Sequence, residues 1–181
     1  MGVAAKREVE AVISTDAYSN DSYINDKIEN IIDKYSNTVF RLALAKTKNK
    51  EMAEDIFQEV FIKYIKKKRV FESTEHEKAW IIRVTLNCCK DLWNSAWLRH
   101  TVPLEEYQEN RATTNSNDDV YLAVMNLPEK YRIPIHLFYY EELSVAEIGM
   151  VLKVNKNTIA TRLKRARETL KTNLHEGGCY D

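Results

Sequence analysis

The chain has 181 residues, enough for one ordinary domain or two small ones. Hydrophobic residues make up 44% and charged residues 30%, a globular profile that excludes a membrane-spanning or wholly unfolded chain. Four Gly and three Pro argue against a turn-rich β architecture, and the formal net charge of zero hides an uneven distribution. Residues 27–100 hold 15 Lys/Arg against 10 Asp/Glu, and residues 120–174 hold 9 against 5. The compensating acidic excess lies in residues 1–26, 101–119 and 175–181. Two basic modules flanked by acidic segments are a weak electrostatic footprint of a polyanion partner.

Residues 1–26 are polar and read as a mobile tail with a short helix near Arg7–Ile13. Charges at Lys6, Arg7, Glu8 and Glu10 with no apolar run after them exclude a signal peptide. A first helix then places Ile28, Ile31, Ile32, Tyr35, Val39 and Leu42 on one face. Asn49 can cap a second helix, about Lys50–Lys67, with an apolar arc of Ala53, Ile56, Phe57, Val60, Phe61 and Tyr64. Asp55, Gln58 and Glu59 fall opposite that arc. A third helix, about Glu75–Asn94, buries Ile81, Val84, Thr85, Cys88 and Leu92. Arg83, Asn87, Lys90 and Asn94 line its other face, with Trp80 at the N-terminal end. An aromatic ring beside guanidinium and amide groups suits unstacked single-stranded bases, since the ring stacks and the polar groups read edges.

Residues 101–119 lack a sustained apolar period and carry five acidic residues, so they read as a linker. Helical patterning resumes at Val120 and runs to about Leu174. Leu127-Pro128-Glu129-Lys130 is a helix start, and Pro134 within that helix implies a kink or a displaced start. Ser144-Val145-Ala146-Glu147 is a capping box opening a short helix, with Val145, Ile148 and Leu152 facing inward. Lys153-Val154-Asn155 forms a three-residue turn, and Asn155 caps the last helix. That helix has a narrow apolar stripe of Ile159, Leu163, Ala166 and Leu170. The rest of it is polar or small and rich in Lys and Arg.

A short capped helix, a tight turn and a basic helix constitute helix-turn-helix geometry, whose second helix enters the major groove. Thr158, Thr161, Arg162 and Arg165 share its exposed face, with Lys156, Asn157 and Lys164 alongside. Arg suits bidentate contact with guanine, and Lys suits phosphate. Such turns usually carry Gly where this chain has Lys153, and a left-handed Lys costs roughly 1 kcal/mol more.

No Gly-rich phosphate loop, metal constellation or nucleophile–base pair stands out, so neither an enzyme nor a cofactor is expected. His76, His100, His136 and His175 are scattered. Cys88, Cys89 and Cys179 have neither zinc spacing nor a disulfide framework and read as reduced thiols of a cytoplasmic protein. No stretch approaches the ~20 apolar residues that span a bilayer, so no membrane insertion is expected. On these residues alone, a stand-alone helix-turn-helix regulator with an N-terminal ligand or dimerisation domain remains open.

The stretch Ala53-Glu54-Asp55-Ile56-Phe57-Gln58-Glu59-Val60-Phe61 resembles the core signature of bacterial sigma factors, especially the small extracytoplasmic-function group of the sigma-70 family. The resemblance continues in order through Phe71, Lys78-Ala79-Trp80-Ile81-Ile82-Arg83, Asn87, Asp91, Leu127-Pro128, Ser144-x-x-Glu147-Ile148 and Arg162-Leu163-x-Arg165-Ala166-Arg167. It covers about residues 27–173. It implies an all-α protein of two small helical domains, a region 2-like domain at 27–100 and a region 4-like domain at 120–174. It implies an alternative sigma factor whose first domain binds core RNA polymerase and opens the minus-10 element while the second reads the minus-35 element. Asp55, Gln58, Glu59 and Ile62 would then face polymerase, through a coiled coil of its largest subunit, with the polymerase flap as a second contact. Trp80, Arg83, Asn87, Lys90 and Asn94 would face minus-10 DNA. Lys156, Asn157, Thr158, Thr161, Arg162, Lys164 and Arg165 would face minus-35 DNA. An anti-sigma factor is a further implied partner. Family members often carry a basic residue where this chain has Leu86.

Overall fold

Apolar residues three and four apart organise the first helix, α1 (Ser22–Thr47). Ile28, Ile32, Tyr35, Val39 and Leu42 are all buried, and Ile31 at the edge of the stripe is half-buried. The computed structural model describes residues 22–66, 71–94 and 116–176. The expected Arg7–Ile13 helix, linker residues 101–115 and Cys179 lie outside them. Residues 22–26, expected in the tail, form the first turns of α1.

The α1 helix ends where Lys48 adopts a left-handed conformation, with φ of 56°. Its amide bonds back to the Leu44 carbonyl at 2.8 Å. Thr47 Oγ1 donates to the Ala43 carbonyl and accepts from the Asn49 amide. Asn49 in turn accepts from the Met52 amide at 2.8 Å and caps α2 (Lys50–Lys66). The expected arc of α2 is buried apart from half-buried Tyr64, and Phe57 and Phe61 pack with ring centroids 4.8 Å apart. The third helix, α3 (Thr74–Asn94), starts one residue before the expected position, with Ser73 Oγ accepting from the His76 amide. Its inward face is Trp80, Ile81, Ile82, Thr85, Cys88 and Cys89. Val84 and Leu92, expected inside, are only half-buried, because the core side of the helix is centred on Ile81, Thr85 and Cys88.

One carboxylate ties these three helices together. Tyr64 on α2 donates its hydroxyl to Glu77 Oε1 at 2.7 Å. Tyr35 and Lys34 on α1 donate to Glu77 Oε2 at 2.9 and 3.0 Å. Burial by itself would raise the Glu77 pKa, but the bonds from Tyr64, Lys34 and Tyr35 and the Lys34 charge outweigh it and hold the carboxyl below its ordinary range. Burial and the same carboxylate push the Tyr64 phenol well up, so it stays a donor.

The chain divides into two units, Met1–Glu106 and Tyr107–Asp181, each with its own core. In the second, α4 (Ser116–Asn126) begins four residues before Val120, inside the segment expected to be linker. The next helix, α5 (Glu129–Tyr139), has Pro128 at its cap with φ −53° and ψ 142°, so helical geometry starts one residue after the proline. It runs through Pro134 unbroken, and the expected displaced start at that proline does not occur. Pro134 is itself buried with its neighbours in this helix. Arg132 is buried as well, and its Nη1 donates to the carbonyls of Met125 and Leu127 at 3.0 and 2.6 Å. These carbonyls at the end of α4 have no continuing helix to accept from, so the guanidinium fixes the α4–α5 corner. Two further helices complete the unit, α6 (Val145–Leu152) and α7 (Lys156–Glu176), the last extending two residues past the expected end. Both pack on α5.

Because Glu77 is depressed in the fold, its stabilisation is fully present above the ordinary Glu range and is lost as pH falls through the lowered value. Glu77→Gln is expected to cost about 1–3 kcal/mol near neutral pH, the cost of orphaning buried partners of a charged acceptor. In urea melts the gap between the two proteins should shrink as pH falls towards 3.

Candidate nucleic-acid interface

The turn between α6 and α7 is built from three local devices. Ser144 Oγ accepts from the Glu147 amide at 3.3 Å, and Glu147 Oε2 accepts from the Ser144 amide at 2.8 Å, which completes the capping box. Lys153 takes the left-handed conformation, φ 55° and ψ 43°, which Gly would adopt without steric cost. Asn155 Oδ1 accepts from the Asn157 amide at 2.8 Å and caps α7. Inward-facing residues of α6 are Ile148, Gly149 and Val151. Val145 and Leu152, expected inside, are half-buried, because Val151 is the residue that follows Ile148 on the core side.

Gly149 is the residue of this turn that sequence reasoning missed. A Cβ there would lie 2.8 Å from the Val154 carbonyl oxygen and 3.6 Å from Lys156 Cα. The absence of a side chain lets the turn fold flat against α6, and the Val154 amide bonds back to the Gly149 carbonyl at 2.9 Å. The glycine demanded by close packing is therefore inside the first helix, while the left-handed position is filled by a lysine.

On α7, Ile159, Leu163 and Ala166 are fully buried and Leu170 half-buried. Lys156, Asn157, Thr158, Thr161, Lys164 and Arg165 are exposed, and Arg162 is half-buried at the edge of the same face. Thr161 Oγ1 donates to the Asn157 carbonyl at 2.9 Å, leaving its methyl and lone pairs outward. Lys164 lies 4.0 Å from Glu168, one turn on. Arg165 and, less strongly, Lys130 hold the Tyr131 phenol of α5 below its ordinary pKa.

In the first unit, Arg83, Asn87, Lys90 and Asn94 form one exposed stripe along α3. Trp80 does not join it. The indole is 8% exposed and packs against Tyr64 and Phe71, with ring centroids 5.7 and 5.6 Å away. Its ring packs in the seam between α2 and α3, apart from the exposed stripe it was expected to join. Trp93, at the other end of the helix, is 44% exposed and one turn from Lys90. A tryptophan at either end of α3 satisfies the sequence pattern equally, and only burial separates them.

On α2, Asp55 and Glu59 are exposed, and Gln58 and Ile62 are half-buried on the same side. Glu59 pairs with Lys63 at 3.2 Å. Lys63 also reaches Cys88 Sγ on α3 at 3.4 Å. Burial raises the Cys88 pKa despite that lysine, so the thiol stays protonated. Among the described residues no cluster of His, Cys, Asp and Glu could hold a metal ion, and no helix is long and apolar enough to cross a membrane.

Two family profiles match these units. Sigma-70 region 2 matches residues 31–99 and Sigma-70, region 4 matches residues 117–170, together about two thirds of the chain. The chain belongs to the sigma-70 family, in its extracytoplasmic-function group. It is 28% identical to the ECF RNA polymerase sigma factor SigW of Bacillus subtilis over 83% of this chain and 90% of that one. It is also 28% identical to SigM of the same organism, over 83% of this chain and 96% of that one. Among solved structures, the sigma factor RpoE in complex with the anti-sigma factor NepR from Bartonella quintana shares the fold with a TM-score of 0.68 at 20% identity, covering 82% of this chain and 97% of that one. CnrH in complex with the cytosolic domain of CnrY does so with a TM-score of 0.60 at 19% identity, covering 95% and 98%. The helix-turn-helix thus lies in region 4 and the α1–α3 unit in region 2.

Gly149→Ala is expected to cost about 1–3 kcal/mol of overpacking at the turn, offset in part by a helix-propensity gain of about 1 kcal/mol. Urea melts report the loss of stability. Weakened binding to the upstream promoter element should accompany it, since the clash displaces the start of α7.

Proposed function

We propose that this sigma factor joins core RNA polymerase through the α2 face and brings it to promoters by reading two elements, one with each unit. The observation that carries the reading is the pairing of two separately folded modules, matching region 2 and region 4, each with a polar face left outside its core. Neither face alone specifies initiation. A helix-turn-helix by itself fits any repressor, and an acidic stripe on a helix by itself is an ordinary solvated surface.

The polymerase-facing residues are Asp55, Gln58, Glu59 and Ile62, docking on the coiled coil of the largest subunit. A half-buried isoleucine beside exposed carboxylates supplies an apolar anchor with a charged rim, the usual anatomy of a stable contact. The α3 stripe of Arg83, Asn87, Lys90 and Asn94 faces the minus-10 element, with Arg83 and Lys90 on phosphate and the two amides free to read base edges. Exposed Trp93 is the aromatic able to stack there, a contribution of about 1–3 kcal/mol per base. With Leu86 on the flank, this stripe carries fewer charges than those of many relatives, so more of the opening energy comes from polymerase binding.

The α7 helix enters the major groove at the minus-35 element. Thr158, Thr161, Arg162 and Arg165 face the bases, with Lys156, Asn157 and Lys164 beside them. An anti-sigma protein covering these faces is a further partner, supported by the two structural neighbours, whose solved forms are complexes of that kind.

Transcription in vitro with core polymerase, with and without the chain, on a promoter library tests the whole reading. Start sites that require the chain are expected. Promoter binding by the chain alone, with no such start sites, would instead mark a stand-alone regulator. Changing Asp55, Gln58 and Glu59 together to Ala should abolish co-purification with core polymerase and leave the circular-dichroism melt unchanged, since none lies in the core. Arg162→Ala should cost about 1–3 kcal/mol at the upstream element and relax base preference there, measured by competition binding of the polymerase complex to promoter variants.

A further inference from the structure

Thr161 holds the most outward place on α7. At about 100° per residue, the buried seam of Ile159, Leu163 and Ala166 takes one side of the helix, and Thr161 stands almost directly opposite it. Thr158, Arg162 and Arg165 lie around it, Arg162 half-buried and the others exposed. The position that comes closest to the floor of a groove is therefore filled by a short side chain, with the long arginines on its flank. The Thr161 hydroxyl is already in use. Its Oγ1 donates to the Asn157 carbonyl of the same helix at 2.9 Å. Donating to a base would mean giving up that bond, whereas a contact through the methyl group keeps it. Thr169 and Thr172 make the same kind of bond further along α7, to the carbonyls of Arg165 and Glu168 at 3.0 and 3.1 Å, so threonines on this helix turn their donors inward.

We propose that Thr161 reads a thymine of the upstream element by packing its methyl group against the C5-methyl of the base. The inference rests on the proposed reading of α7 as the major-groove helix, and it names the base and the contact at the centre of that face. Thymine is the base whose major-groove edge carries a methyl group, and a threonine methyl is among the apolar groups suited to it. A short side chain at the outermost position lets α7 approach closely enough for the two methyls to meet. Branching at Cβ and the bond to the Asn157 carbonyl both restrict χ1, so the methyl keeps one direction and little rotamer freedom is lost on binding. Arg162 and Arg165 have the longer reach and are left to the guanine acceptors of adjoining base pairs.

The test uses the full chain bound to core polymerase, on a promoter it selects, with each thymine of the upstream element replaced in turn by deoxyuridine. The replacement removes the C5-methyl and leaves base pairing and the O4 acceptor intact. Wild type should lose binding about fourfold at one thymine, the contribution of one buried methyl. Thr161→Ser keeps the hydroxyl and removes the methyl. It should bind the unmodified promoter more weakly by the same factor and be indifferent to deoxyuridine at that position. Thr161→Val keeps a methyl, removes the hydroxyl and should retain the sensitivity there. Thr161 is exposed, so neither change should move the urea melt. Wild type indifferent to deoxyuridine at every thymine would overturn the proposal. So would Thr161→Ser with wild-type sensitivity at every thymine. Weakened binding by Thr161→Val beside unchanged binding by Thr161→Ser would overturn it as well, and would assign the contact to the hydroxyl. Failure of the wild-type complex to select promoters would sink the underlying reading of α7, whereas a selective wild type with an unaltered Thr161→Ser variant would sink the thymine contact alone.

Discussion

The arrangement of the region 2 unit turns on the Glu77 carboxylate and the three donors that converge on it, Tyr64 from α2 and Tyr35 and Lys34 from α1. Apolar burial drives the three helices together, at about 1.5–3 kcal/mol for each fully buried large side chain. Burial is not directional, however, and a stripe of Ile, Val and Leu tolerates sliding and rotation. Hydrogen bonds of 2.7–3.0 Å do not. By fixing α3 against α1 and α2, the carboxylate sets the angle between the polar face of α2 and the polar stripe of α3. If the first meets polymerase and the second meets the minus-10 element, that angle is what lets one small unit serve both. Trp80 enters the same seam. With Tyr64 and Phe71 it forms an aromatic cluster beside the carboxylate.

The region 4 unit solves a related problem with backbone geometry. The two helices of the helix-turn-helix must meet at a fixed angle across three residues. A left-handed Lys153 reverses the chain, Gly149 allows the Val154 carbonyl to approach α6, and the capping box and Asn155 satisfy the helix ends. The same economy recurs at other corners, where Lys48 and Glu142 also take positive φ. A chain with four glycines, two of them after residue 176 and one at position 2, has few to spend on turns. It accepts the cost of about 1–2 kcal/mol per left-handed residue and recovers it through packing and caps. Arg132 does comparable work at the α4–α5 corner, where its guanidinium replaces the next turn of helix for two carbonyls.

Electrostatics links these local solutions to the role of the chain. Formal neutrality results from acidic segments at residues 1–26, 101–119 and 175–181 around two basic modules. Such a distribution concentrates positive charge in the two modules proposed to meet DNA. Non-specific binding grows with the number of phosphates neutralised and falls steeply with salt. A protein with modest local charge therefore binds DNA weakly alone and gains from a partner that holds both modules to the promoter at once. That division of labour suits a specificity subunit better than a free-standing DNA-binding protein.

The sequence by itself determined the elements and most of their faces. Helical period, the Asn49 and Asn155 caps and the Ser144–Glu147 box are local features, resolved within one or two turns of chain, and they placed α2, α3, α6 and α7 to within two residues at each end. The ordered motifs from Ala53 to Arg167 also carried the family. Tertiary structure decided what depends on residues far apart in the chain. Whether Trp80 or Trp93 is the exposed tryptophan of α3 depends on Tyr64 and Phe71, which no helical wheel of α3 contains. The convergence on Glu77 spans 43 positions from Lys34. The early start of α4 at Ser116 was hidden for the opposite reason. Its first residues, Ser-Asn-Asp-Asp, have the composition of a linker, and a polar first turn has no apolar period to announce it.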